Sequence, residues 1–226
     1  MRIIAGKNKG KNLNSFELSS TRPTSDKIRE ALFDKLGTKV ENCVFLDLFA
    51  GTGAVGIEAI SRGAKDVFFV DENKTAIGIV KKNLSLISAT DKNVYLSNFE
   101  KALLSFKKSG QTFDIIFVDP PYASNFAEQS IEKIRGMTLL NTNGVLVWEH
   151  DASKNMFIEK NYSNVVTKKY GDKFLTYFKD TDIYTKQWIN MQVVHFKINI
   201  QQYAYLYKQL IYYKRHKKKF ATRLCL

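Results

Sequence analysis

From Cys43 to Glu149 the chain alternates short apolar runs with amphipathic stretches, and this alternation restricts the fold more than any other feature. Val44–Leu48, Asp66–Val70, Asn93–Ser97, Phe113–Val118 and Gly144–Glu149 read as strands. Ala54–Ser61, Lys74–Leu86, Glu100–Phe106 and Asn125–Arg135 read as the helices between them. The runs Val67-Phe68-Phe69-Val70 and Ile115-Ile116-Phe117-Val118 do not alternate polar with apolar, as expected of strands covered on both faces. Strand and helix in repetition predict an α/β fold, Rossmann-like, around a mainly parallel sheet. Val165–Tyr170 and Lys173–Phe178, flanking Gly171-Asp172, add a closing hairpin that brings the sheet to seven strands.

The flanks differ from this body. Residues 1–20 read as a basic hairpin: Arg2–Ala5 and Lys11–Phe16 enclose Gly6-Lys7-Asn8-Lys9-Gly10. Such a hairpin is either a solvated edge protected by lysines or a positive finger for phosphates. Residues 21–179 form the main domain, opened by Thr21-Arg22-Pro23-Thr24 and a helix from Ser25 to Leu36 with Thr24 or Ser25 as its cap. Residues 180–226 form a basic aromatic tail, with nine basic and two acidic side chains. The tail is read as a frameshifted or run-on terminus or a poorly ordered extension, against two alternatives: a helix on RNA or on an anionic membrane surface.

The formal charge of +13 suggests a polyanionic partner. Cys43 and Cys225 are too few for a disulfide framework or a metal site. No apolar run approaches the ~18 residues of a membrane span, and no secretory signal is visible. A cytoplasmic, metal-free monomer is expected.

Two motifs carry chemistry. Leu46–Gly56 runs from a strand through a glycine turn, Gly51-Thr52-Gly53, into a helix. Small residues there let backbone approach a ligand, and the helix start offers N–H groups to an anion. Asp71 ends the next strand, eighteen residues after Gly53, where a carboxylate accepts from ribose hydroxyls. These features predict a nucleoside cofactor. Both NAD and S-adenosylmethionine fit, and Asp47, placed to meet an ammonium group, favours the second.

The second motif is Asp119-Pro120-Pro121-Tyr122, which holds two of the three prolines in the chain. Two fixed φ angles, a carboxylate and an aromatic ring at a strand end make a rigid site for a flat, amine-bearing ring. This tetrapeptide resembles the signature of amino-group methyltransferases. With Met1–Gly6, Thr21–Thr24, Arg29–Phe33, Leu46–Gly53, Glu149-His150 and Tyr170-Gly171-Asp172, the chain over residues 1–179 resembles the bacterial 16S rRNA guanine-N2 methyltransferases of the small-subunit methyltransferase D type.

That resemblance implies a class I S-adenosylmethionine-dependent fold. It implies methyl transfer to the exocyclic N2 amine of one guanine in 16S rRNA, within small-subunit particles. By the same resemblance Asp119, Pro120 and Tyr122 are catalytic. Arg22, Pro23, Thr24, Asp47, Phe49, Gly51, Gly53, Asp71, Asn98 and Asp119 contact the cofactor. Arg2, Lys7, Lys9, Lys11 and Tyr122 contact RNA. Asn98 departs from an expected acidic residue but keeps an amide for adenine. An adenine-N6 methyltransferase shares cofactor and tetrapeptide and stands as the alternative enzyme. A glutamine-N5 protein methyltransferase calls for Asn at position 119. A non-catalytic rRNA-binding assembly factor has no need of Asp47, Gly51, Gly53, Asp71 and Asp119. His150 reads as structural or RNA-contacting rather than as a base, and Glu149 stays open.

Overall fold

The computed structural model describes residues 1–15, 26–121, 125–162 and 165–180. Seven strands form one sheet: β1 (Val44–Leu48), β2 (Asp66–Asp71), β3 (Val94–Leu96), β4 (Phe113–Val118), β5 (Leu140–His150), β6 (Val166–Tyr170) and β7 (Lys173–Lys179). Their order is β3-β2-β1-β4-β5-β7-β6. The first five strands run parallel, and β7 enters antiparallel between β5 and β6. The order reverses between β1 and β4. The carboxyl ends of these two neighbours open the crevice in which α/β sheets bind ligands.

The helices are α1 (Asp26–Leu36), α2 (Ala54–Ser61), α3 (Lys74–Leu86), α4 (Phe99–Ser109), α5 (Phe126–Met137) and α6 (Asn155–Asn161). Period-2 alternation along each strand sends residues to opposite faces. Phe45, Val67, Phe69, Ile115 and Phe117 pack with Leu32, Phe33, Ile57, Val80 and Leu84 of α1, α2 and α3. On the opposite face, Phe68 meets Phe106 and Phe113 edge-on, with centroids 5.7 and 5.3 Å apart. Each fully buried phenylalanine contributes about 1.5–3 kcal/mol over an exposed one. Asn73 caps α3 by accepting from the Thr75 and Ala76 N–H groups.

Helix α2 is buried on nearly every side. One side rests on the sheet, where a Cβ on Gly56 would come within 2.3 Å of Phe69. The other side carries the N-terminal segment. Glu58 accepts from the Ile4 and Ala5 N–H groups at 2.8 and 2.9 Å. Lys7 N donates to Ser61 O, and Asn8 N donates to Ser61 Oγ. Segment 1–15 is therefore not an edge of the sheet. Its strand pairing reduces to the Arg2–Asn12 bridge and a few flanking bonds, because its backbone groups are spent on α2.

Other boundaries shift for local reasons. β5 starts at Leu140, ahead of Gly144, because Phe113 pairs with Leu140 before a register shift toward Ile115. α1 begins at Asp26; Thr24 and Ser25, the expected caps, lie outside the described residues. α6 was absent from the sequence reading. Only Ile158 in it is buried and Met156 is exposed, so it carries little periodic signal. The tail, apart from Asp180, lies outside the described residues.

Candidate active site

The turn after β1 is built from left-handed backbone. Phe49, Gly51 and Gly53 have φ of 77°, 53° and 76°. Phe49 N and Ala50 N both donate to Val70 O, folding the turn back on β2. At Gly51 a Cβ would meet nothing within 4 Å, so the conformation alone demands glycine and one side of the turn stays open. At Gly53 a Cβ would sit 3.1 Å from Val80. α2 then starts without a side-chain cap, leaving helix-start donors for a ligand.

Three carboxylates gather at this edge. Asp47 is 1% exposed, and its Oδ2 accepts from Gly56 N at 2.9 Å. Burial pushes its pKa up to about 8 against that hydrogen bond, with the Asp119 and Asp71 carboxylates adding repulsion. Asp71 Oδ2 accepts from Gly51 N at 2.8 Å and Oδ1 from Asn73 N at 2.8 Å, so this side chain braces the glycine turn. Asp119 follows β4, half-buried, with Pro120 buried and Pro121 exposed behind it. The cluster suits a cation. S-adenosylmethionine carries an ammonium and a sulfonium.

The structure brings together Asp47, Phe49, Gly51, Gly53, Asp71 and Asp119 from the expected set. Asn98 caps α4, its Oδ1 accepting from Lys101 N at 2.9 Å, a role the sequence reading did not assign. Arg22, Pro23, Thr24 and Tyr122 lie outside the described residues. Two aromatic partners were missed. Phe49 stacks parallel to Phe126 at 6.5 Å and meets Phe99 at 5.5 Å, and Phe99 meets Phe126 at 5.4 Å. They form an apolar wall from the end of β1 and the starts of α4 and α5. The signal available for Phe99 was its place at the start of α4, a short link after β3 and next to Asn98.

Beside the tetrapeptide lies a cleft lined by Pro120, Pro121, Ala127, Trp148, Glu149, His150, Asp151 and Lys154. His150 is held on both nitrogens. Nδ1 lies 2.8 Å from Asp151 O, so it carries the proton and donates. Nε2 then accepts from Thr176 Oγ1 at 2.7 Å, and Thr167 in turn donates to Thr176. The ring stacks on Phe174 at 5.5 Å, and burial lowers its pKa. A neutral imidazole with both nitrogens engaged is a structural group. Lys154 bridges to Glu128 of α5 at 2.7 Å.

Of the expected RNA contacts, Lys7 and Lys9 are exposed on the docked loop. Lys11 Nζ donates to Leu86 O, and Arg2 lies 3.9 Å from Asp26. Among the described residues no His, Cys, Asp or Glu cluster could hold a metal, and no helix is long and apolar enough to cross a membrane.

The profile of the family described as Conserved hypothetical protein 95 matches residues 1–179. Ribosomal RNA small subunit methyltransferase D of Haemophilus influenzae is 34% identical over 174 residues, covering 76% of this chain and 89% of its own. The chain belongs to the small-subunit rRNA methyltransferase D family. The putative rRNA methyltransferase YlbH of Bacillus subtilis is 40% identical over 152 residues, covering 67% of this chain and 83% of its own. The putative methyltransferase yhhF from Escherichia coli superposes with a TM-score of 0.66 at 28% identity, over 79% of this chain and 97% of that one. The family is one of S-adenosylmethionine-dependent methyltransferases, and the acidic cluster, glycine turn and aromatic wall fit that cofactor. The family match ends at residue 179, as the resemblance read from the sequence does.

Proposed function

We propose that the protein transfers a methyl group from S-adenosylmethionine to the N2 amine of a guanine in 16S rRNA. The observation that carries this reading is the convergence of Asp119 with Asp47 and Asp71 beside the Pro120 cleft. It supports an amine-binding loop that meets the end of the cofactor cradle. The relatives named as rRNA methyltransferases support an rRNA substrate.

When bound, the cofactor supplies an electrophilic methyl on a sulfonium. Asp47 and the start of α2 hold its amino-acid end, Asp71 its ribose, and Phe49 with Phe99 its adenine. The guanine amine is conjugated to the ring and therefore a poor nucleophile. The Asp119 carboxylate and the Pro120 carbonyl accept its two N–H bonds, which turns the nitrogen lone pair toward the methyl and opposes the charge that develops there. Asp119 takes the released proton or passes it to water. Tyr122 stacks on the extruded base, a contact worth roughly 1–3 kcal/mol in single-strand binders. The docked loop with Lys7 and Lys9 grips phosphates. The family resemblance also assigns Arg22, Pro23 and Thr24 to the cofactor. The protein works as a cytoplasmic monomer on small-subunit particles, through residues 1–179, with the tail dispensable.

Purified protein with labelled S-adenosylmethionine is expected to methylate 16S rRNA in unmodified small-subunit particles. Nucleoside mass spectrometry is expected to find N2-methylguanosine. N6-methyladenosine instead would replace the guanine reading with the adenine one. Retained cofactor binding without any transfer would remove the rRNA substrate.

A further inference from the structure

An ion pair that methyl transfer itself does not need stands at the rim of the cleft. Glu149, next to last in β5, is 3% exposed, and Lys173, first in β7, is 8% exposed. Their charged atoms, Oε1 and Nζ, are 4.0 Å apart. This is long for a charge-assisted hydrogen bond, which closes to about 2.7–2.9 Å. Burying a pair of opposite charges adds little net stability to a fold, because desolvation offsets most of the attraction.

Their placement is informative. The parallel register pairs Val118 with Trp148, so one further step sets Asp119 level with Glu149. In the antiparallel pair His150 faces Phe174, so Lys173 stands one step beyond the end of β5, at the same edge of the sheet. Glu149 lines the cleft together with Pro120. From β4 to β7 this edge therefore presents an acceptor pair at Asp119 and Pro120, an acceptor at Glu149 and a donor at Lys173.

Guanine presents the complement in the same order: the N2 amine donates, N1–H donates and O6 accepts. We propose that Glu149 accepts the guanine N1–H and Lys173 donates to O6, so that this pair selects guanine at the methylation site. The proposal rests on the guanine-N2 reading above and deepens it. With its amine held at Asp119, adenine turns the N1 lone pair onto the buried Glu149 carboxylate, so that two acceptors face each other. Sites built around such a hydrogen bond reject analogues lacking it by up to ~10⁴–10⁵.

The test uses 2-aminopurine, which keeps the 2-amino group but has a bare N1 and no O6. Small-subunit particles are reconstituted with 16S rRNA carrying guanine or 2-aminopurine at the position that mass spectrometry identifies as methylated. The full-length protein is expected to favour guanine by about 10²-fold or more in kcat/KM. Glu149→Gln offers an amide donor to the bare N1. It is expected to lower the guanine rate by about 10²-fold, spare 2-aminopurine and bring the ratio within about tenfold. Lys173→Met is expected to lower only the guanine rate. S-adenosylmethionine affinity, measured by calorimetry, stays unchanged in both. A natural-protein ratio near one overturns the proposal, and it decides alone if a variant fails to bind cofactor. Variants that slow both bases equally overturn it too, since a merely structural pair would act that way. Absence of transfer to guanine by the unaltered protein strikes at the guanine-N2 reading instead.

Discussion

Asp71 Oδ2 accepts the Gly51 N–H at 2.8 Å, tying the end of β2 to the turn that follows β1. Its other oxygen accepts from Asn73 N, so one side chain fixes both the glycine turn and the approach to α3. Asp71→Ala removes this brace together with the proposed ribose acceptor. We expect S-adenosylmethionine affinity to fall about 10- to 100-fold by calorimetry, in line with losing one or two charge-assisted hydrogen bonds of roughly 1.5–3 kcal/mol.

Asp47 gives the cradle a pH dependence. Its folded pKa, raised to about 8 by burial and by Asp119 and Asp71, lies above the unfolded value of 3.8. Its contribution to stability is therefore fully present below about pH 3.8 and is lost as pH rises through 8. A cationic ligand favours the ionised carboxylate and so expels the proton. Cofactor affinity is expected to rise with pH up to about 8. Calorimetry in buffers of different ionisation enthalpy should record close to one proton released near neutrality. Equal heats in all buffers would mean that Asp47 is already ionised.

Asp119→Ala separates chemistry from cofactor binding. It removes the proposed acceptor of the amine and also one of the two carboxylates that repel Asp47. Methyl transfer is expected to drop about 10³-fold or more, with cofactor affinity within a few-fold of normal. A matching loss of cofactor binding would move Asp119 from the amine to the cradle.

Glu58 and Gly6 test the docking of the N-terminal loop. Glu58 and Arg29 are both sealed from solvent, 3.8 Å apart, and Arg29 also donates to the Arg2 carbonyl. Glu58→Ala leaves Arg29 buried without this partner and is expected to cost about 3–5 kcal/mol, read as a lowered denaturation midpoint. Gly6→Ala is milder and more specific. Gly6 has φ of 80°, and an added Cβ would fall 1.9 Å from Ser61 O. It is expected to release the loop to proteolysis and weaken rRNA binding while sparing cofactor affinity.

Deleting residues 181–226 is expected to leave methyl transfer within about twofold, since family similarity ends at residue 179. A sharp loss confined to rRNA affinity would give the basic tail a place in substrate binding.

Much of the fold was legible because the central strands are apolar on both faces. Phe113–Val118, Ala54–Ser61 and Lys74–Leu86 lie where periodicity set them. Asp47, Gly51, Gly53, Asp71 and Asp119 were legible because strand ends and glycine turns leave local marks. What pattern reading missed depends on contacts distant in sequence. Asn98 also caps α4, a role that shows only once the helix start is placed directly after it. Glu58 gains its role only from Ile4 and Ala5, 54 and 53 positions away. Glu149 and Lys173 carry no shared motif, because only the antiparallel entry of β7 brings them together.

Helix α2 joins two jobs at its two ends. The glycine turn of the cofactor cradle sits at its start, and the lysine-bearing loop is bonded to Glu58 and Ser61 near its finish. Eight helical residues span about 12 Å. The loop cannot slide along the helix without breaking the bonds that bury Glu58. On the proposed function this makes a built-in caliper: RNA gripped by Lys7 and Lys9 would meet the cofactor cradle at a reach set by the length of α2.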